Sequence, residues 1–326
     1  MRSPRLLFGL SAAFVVLLVG AAEGFWRAQG HRPSVVDSEQ LWSAVRGGIG
    51  DGWDELVLLG SSRMQLGLDL ATVRERLPGV RASMLAVDGR YPMATLRHLA
   101  EDESFRGTVW CATTEDGFLR DQWDAQQAYV DAFRTDESLT TGLEATVTAA
   151  LQSRLVVLNP KTRLDAVLRD VLRRQPLPRP TYLVTRLDRT RLADYSRTDI
   201  AAHRAGRVRR SREVPEPASP EDWLRDVAFV DKWVQAIERR GGRVVFIRFP
   251  TSGPVWKIDE RRYPKAAYWD RLDEATTAAT LHFRDVPAMQ QFELPDYSHL
   301  DERDRQSFTA SLLDALDARG ILRDRP

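Results

Sequence analysis

The chain reads as an α/β protein built on a parallel sheet of about five strands, with a helical insertion in its second quarter and one apolar helix ahead of it. Three observations predict this. Short apolar runs closed by turn residues alternate with helical periodicity between residues 55 and 113, and again from 219 onward. Between them, from Asp116 to Arg210, helical periodicity continues but the strand–helix alternation stops. Before them, Leu6 to Ala22 carries neither charge nor proline.

That first run follows Arg2 and Arg5 and is closed by Glu23 and Arg27. About 17 apolar residues is the lower limit for crossing a bilayer. Positive charge before the run and a long chain after it predict a single-pass protein whose C-terminal part lies outside the cytoplasm. Phe25 and Trp26 suit the aromatic belt of the interface. The alternative is a signal peptide cleaved near Gly20-Ala21-Ala22, which leaves a secreted or periplasmic protein. Residues 1–27 are therefore read as anchor or signal segment, 28–54 as a tether, and 55–326 as the α/β domain with its insertion at about 118–218.

Composition narrows the classes further. Of 326 residues, 47 are basic and 46 acidic, a net charge of +1 that argues against a nucleic-acid partner. The lone cysteine, Cys111, excludes an internal disulfide and a four-cysteine zinc site, and its apolar surroundings mark it as core. No Gly-x-x-x-x-Gly-Lys or Gly-x-Gly-x-x-Gly follows a strand, so a phosphate-cradling loop is disfavoured. No His and carboxylate cluster has metal-site spacing; neither a metal nor a cofactor is expected.

In order, a short helix is predicted around Glu39 to Val45, then a loose stretch with Gly47, Gly48, Gly50 and Gly52. Leu56-Val57-Leu58-Leu59 is the first strand, and Asp69 caps a helix that Pro78-Gly79 ends. Arg81 to Val87 reads as strand, Met93 to about Glu101 as helix and Gly107 to Thr113 as strand. Within the insertion, Leu143–Leu151 and Leu164–Leu172 carry helical periodicity, and Pro176, Pro178 and Pro180 mark a bend. Arg204, Arg207, Arg209, Arg210 and Arg212 then lead into Pro215-Glu216-Pro217. That run reads as a solvated surface loop or as a contact for anionic polymer or lipid headgroups. A long amphipathic helix starts at Ser219 or Pro220, with Trp223, Val227, Val230, Val234 and Ile237 on one face. Arg243–Phe249 is the fourth strand, with a stiff loop through Pro254. A helix near Tyr268–Ala279, a fifth strand at Leu281–Val286 and a last helix from about Asp301 to Arg319 complete the chain.

Chemistry is expected where Leu59 runs into Gly60-Ser61-Ser62-Arg63, because ligands of open α/β sheets sit beyond the carboxyl ends of the strands. A serine hydroxyl needs a base, and the base an orienting group. His31, His98, His203 and His282 fall in tether, helix, arginine cluster and strand, and read as structural or solvated. His299 lies in Pro295-Asp296-Tyr297-Ser298-His299-Leu300, between the last strand and last helix, with Asp296 three residues ahead. One turn brings that carboxylate onto the imidazole.

Together, the early Gly60-Ser61-Ser62 block and the late Asp296-x-x-His299 block resemble the SGNH, or GDSL-type, hydrolases. The resemblance spans about residues 55–320. It implies a three-layer flavodoxin-like sheet, with Ser62 as nucleophile, His299 as base and Asp296 as its orienter. The oxyanion hole would draw on the amide of Ser62 and on Gly89 after the second strand. The asparagine that the family places after the third strand is absent from Ala112-Thr113-Thr114-Glu115-Asp116-Gly117, where Thr113 or Thr114 would be the substitute donor. Arg63 and Arg248 lie at the same sheet edge, either as positive charge for substrate binding or as salt-bridge partners. The Gly-Ser-Ser-Arg form is similar to membrane-anchored extracytoplasmic members that handle acyl groups on cell-envelope polymers. The resemblance thus implies an esterase or O-acyltransferase of acyl esters on envelope or exported polysaccharide, served by a membrane-bound acyl-transfer partner. The alternative is a binding or assembly protein on the same fold that has lost turnover.

Overall fold

The computed structural model describes residues 4–135, 139–214 and 217–322. Arg2 and the Pro215-Glu216 pair lie outside them.

Helix α1 (Pro4–Ala28) contains a 21-residue stretch, Phe8–Ala28, of mean hydropathy 1.9, long and apolar enough to cross a membrane. Phe14, Leu17 and Leu18 are among its exposed side chains. Its end is docked. Trp26 is buried, Glu23 accepts the amides of Val156 and Val157 (both 3.0 Å), and Arg27 donates to the Arg154 carbonyl (2.6 Å). The segment after it is not a free tether. In α2 (Glu39–Gly47), capped by Ser38, Trp42 is fully buried and donates to the Leu85 carbonyl at 2.9 Å.

The first half of the sheet comes next: β1 (Glu55–Leu59), α3 (Ser62–Gly67), α4 (Leu70–Arg76), β2 (Arg81–Met84), α5 (Met93–Glu101) and β3 (Thr108–Ala112). Asp69 caps α4 through the Thr72 amide. The insertion then supplies α6 (Gln127–Thr135), α7 (Leu139–Gln152), α8 (Leu164–Leu172), an antiparallel hairpin of β4 (Leu183–Thr185) and β5 (Arg191–Ala193), and α9 (Ile200–Arg212). The chain returns through α10 (Pro220–Glu238), β6 (Arg243–Arg248), α11 (Gly253–Arg262), β7 (Ala279–His282), α12 (Pro287–Gln290) and α13 (Arg305–Ala318).

The five strands β2-β1-β3-β6-β7 form one sheet in which every pairing is parallel. Numbered along the sheet's own strands this is the 2-1-3-4-5 order of flavodoxin-like folds, whose crevice opens between the first and third strands. All five β1 residues are buried, as a strand covered on both faces requires. Val57 and Leu59 point into one core with α5 and α10; Leu56 and Leu58 point into the other with α4 and α13. The five apolar residues predicted on one face of α10 are all fully buried, with Ser219 as N-cap and Pro220 in the first turn.

Five local expectations change. The insertion also holds a hairpin, whose three-residue strands are too short to show alternation in the sequence. The expected loop through Pro254 is shorter, ending at Ser252 where α11 begins, since proline is well tolerated in a first helical turn. The helix expected near Tyr268 is instead two 3₁₀ turns, Lys265–Ala267 and Trp269–Glu274, that pack Tyr268, Trp269 and Leu272 inward. The fifth strand lies earlier, because the His282 ring accepts the Arg284 amide and turns the chain. Most consequential, the arginine run is helical, and it lies over the sheet's C-terminal edge rather than in a solvated loop.

At that edge Gly60 leaves β1 with φ +148°. A Cβ there would come within 2.9 Å of the Ala112 carbonyl and 3.0 Å of the Met64 Cβ. Gly60→Ala is expected to lower the unfolding free energy by about 1–3 kcal/mol, read from denaturant midpoints against the parent chain. An unchanged midpoint would show that the turn can relax.

Candidate active site

The turn after β1 is held from outside the sheet. The Gly60 carbonyl accepts from the Val87 amide and from Gln126 Nε2, both at 3.0 Å. Gln126 is fully buried; it also donates to the Arg90 carbonyl (3.2 Å) and accepts from the Thr95 hydroxyl. This glutamine positions the serine loop and was not singled out in the sequence, where a lone Gln in a helical insertion carries no signal.

Ser62 is the first residue of α3, so its amide lies among those that a helix leaves without an internal acceptor. Its Oγ is 2.8 Å from His299 Nε2. His299 Nδ1 is 2.8 Å from Asp296 Oδ2, while Asp296 Oδ1 accepts the amides of Ser298 (3.0 Å) and His299 (2.8 Å). That double acceptance closes an Asx-type turn, with Tyr297 between in the left-handed region at φ +69°. Neighbours secure the turn: the Tyr297 carbonyl accepts the Ser252 amide (3.0 Å), and Arg204 lies 5.0 Å from the centre of the Tyr297 ring. Serine, imidazole and carboxylate thus form one continuous hydrogen-bonded line, all three buried.

A fourth member joins from the insertion. Arg207 Nη2 of α9 lies 3.1 Å from Asp296 Oδ2 and 3.1 Å from His299 Nδ1. With the Nδ1 proton directed at Asp296, the guanidinium donates to the carboxylate, and His299 Nε2 is left as the acceptor facing Ser62. Burial opposes ionisation of Asp296, but its bond to His299 and the nearby charges hold its pKa below the usual carboxylate range. Burial also lowers the His299 pKa. Asp296 works against that shift, and the positive charges of Arg207 and Arg63 add to it. The imidazole is therefore neutral at physiological pH, the state a general base requires.

The line opens into a cleft of about 340 Å³ whose walls include Ser62, Arg63, Gly89, Tyr91, Arg207 and Arg262. Gly89, at φ +69°, stands on this wall as expected. Arg63 is also there, half-buried, with Nε donating to the Ser298 hydroxyl at 3.0 Å. Thr113 does not fit the donor role expected of it. Its amide is given to the Ile247 carbonyl (3.1 Å), its hydroxyl to the Thr114 carbonyl (3.2 Å), and it borders a small side cavity instead. Arg248 is likewise corrected. Only 1% exposed, it is bound to Glu115 (3.2 Å) and Asp259 (2.8 Å), a structural ion network that braces the cleft floor. The arginine run was visible in the sequence, but its placement on Asp296 was not.

No family model and no curated protein matches the chain. Among solved structures five chains match, including the crystal structure of TesA. That match is 13% identical, covers 81% of this chain and 98% of that one, and has a TM-score of 0.29. This is a weak structural relationship, and it carries no functional argument.

Removing the Arg207 cation relieves a charge that disfavours the imidazolium, so Arg207→Gln is expected to raise the His299 pKa. The imidazole proton resonances should then titrate at higher pH than in the parent chain. An unmoved or lowered titration would contradict this electrostatic role.

Proposed function

We propose that the chain is an extracytoplasmic serine esterase or O-acyltransferase acting on acyl esters of cell-envelope or exported polysaccharide. The observation that carries the reading is the 2.8 Å contact from Ser62 Oγ to His299 Nε2, continued at 2.8 Å to Asp296. As the Ser62 oxygen attacks the ester carbonyl, His299 accepts the hydroxyl proton, and Asp296 stabilises the resulting imidazolium. The Ser62 and Gly89 amides bear on the developing oxyanion. Collapse expels the alcohol with the proton from His299 and leaves the acyl group on Ser62. Water or a carbohydrate hydroxyl, deprotonated by the same imidazole, then removes it.

The apolar α1 supports a membrane anchor, and Arg2 and Arg5 ahead of its apolar stretch support an extracytoplasmic domain. A membrane-bound acyl donor is the fitting partner for such a placement. A second reading, a binding or assembly protein without turnover, is favoured by one observation: the position of the third oxyanion donor is held by Thr113, whose donors are already used.

The full-length chain in detergent should hydrolyse 4-nitrophenyl acetate and label with a fluorophosphonate. Ser62→Ala and His299→Ala should each lose at least about 10³-fold in turnover. Equal turnover in all three chains would sink the serine mechanism. Absent labelling with glycan binding retained would favour the second reading.

A further inference from the structure

We propose that the cleft is built for acyl esters carried on a polyanionic chain. The ester rests on the function proposed above; the anion does not. Six arginines line the cleft against the carboxylates Glu115, Asp116 and Asp259. Most of these charges are already engaged. Arg248 holds Glu115 and Asp259, Arg207 holds Asp296, and Asp116 accepts the hydroxyls of Tyr91 and Thr114. Arg63 is different. Next to the nucleophile, it donates Nε to Ser298 and forms no ion pair among the described residues. Burial, with the like charge of Arg248, lowers its pKa to about 10, so it remains charged. A half-buried cation that no carboxylate touches, with Asp259 acting on it only from a distance, is favoured further when an anion arrives to meet it.

The positive surface also continues outward. Beyond shared walls at Ser211 and Arg262, a second groove is lined by Arg212, Lys257 and Arg261. These three and Arg210 are exposed, with no ion pair among the described residues. Cations spaced from the nucleophile outward suit a linear chain with repeated carboxylates or phosphates. A flat layer of lipid headgroups reaches the outer cations but not Arg63 inside the cleft.

The test measures binding of oligogalacturonate, a poly(glycerol phosphate) fragment and a neutral galacto-oligosaccharide to full-length Ser62→Ala in neutral detergent. The anionic oligomers should bind at least about tenfold more tightly, with affinity falling as salt rises. The tighter of the two identifies carboxylate or phosphate as the recognised group. Arg63→Gln, and separately the surface pair Arg210→Gln with Lys257→Gln, should reduce that preference. Equal affinity for all three oligomers overturns the proposal. So does displacement of the oligomer when the chain is carried in phosphatidylglycerol rather than phosphatidylcholine nanodiscs, which assigns the track to lipid. Anion preference without ester turnover removes the esterase reading alone.

A different observation carries a second inference: we infer that α7 and α8 rest on the bilayer surface. Leu143, Val147 and Leu151 form an exposed i, i+4, i+8 stripe on α7. On α8, only nine residues long, Leu164, Leu168, Val171 and Leu172 are all exposed, the last at 83%. Arg169, Arg173 and Arg174 sit beside them, the composition of an interfacial helix. The link between the two helices is fixed to α1, because Val156, Val157 and Arg154 bond Glu23 and Arg27 at the end of the apolar span. Those are the first charges after the apolar run, which sets the link at the membrane–water boundary when α1 is inserted.

The full-length chain in phosphatidylcholine nanodiscs, spin-labelled at Leu168→Cys or Val147→Cys, tests this; the native Cys111 is buried and inert. Labels there should collide with dissolved oxygen several-fold more than a label at Arg261→Cys, and less with a water-soluble nickel chelate. Accessibility equal to that of residue 261 overturns the inference. Shielding from both reagents assigns the face to a second copy of the chain and also overturns it.

Discussion

The Asp296 carboxylate ties the site together. It accepts four donors: two backbone amides of its own turn, the His299 imidazole and the Arg207 guanidinium. Each serves a different level of structure. The amides set the turn that aims His299, the imidazole carries the line to Ser62, and the guanidinium pins an insertion helix over the sheet edge. A buried carboxylate is costly unless fully bonded, and here every donor is supplied by the protein. This one carboxylate therefore holds the turn, the imidazole and the insertion helix in one arrangement.

The insertion is therefore part of the site. Its start supplies Gln126, which fixes the carbonyl of Gly60, and its end supplies Arg207. Its hairpin contributes Arg189, fully buried, which bonds the carbonyls of Met84, the last residue of β2, and Ala86 just after it, and reaches Asp37 in the segment after α1. A parallel sheet leaves its C-terminal edge open. This chain closes that edge with residues from outside the strand–helix alternation.

Net charge hides the resulting electrostatics. With 47 basic and 46 acidic residues the chain is close to neutral, yet the cleft wall is rich in arginine and the α7–α8 face is bare of paired apolar neighbours. Arginine suits both tasks it has here, since its planar fork remains charged when buried and binds carboxylates through several donors. Arg248 uses that fork for its ion network, Arg207 for Asp296, and Arg63 is left facing the cleft.

Some of this was legible in residue order alone. Apolar runs with turn residues defined β1, β3 and β6 because a buried parallel strand is written as unbroken hydrophobicity, and α10 showed its face through its 3.6-residue period. Ser62, Asp296 and His299 stood out because a reactive serine needs partners of definite type at strand ends. The rest depended on contacts between residues far apart in the chain. Nothing local separates Arg248, sealed in an ion network, from Arg63, open to the cleft, or tells that Thr113 has already given away its donors. Nor does a run of arginines say whether it faces water or the buried Asp296. The stretch from Leu56 to Arg63, a strand running into a turn, marked where chemistry would sit. Only the folded chain decided which residues surround it, because hydrogen-bond satisfaction and charge pairing are set by neighbours in space.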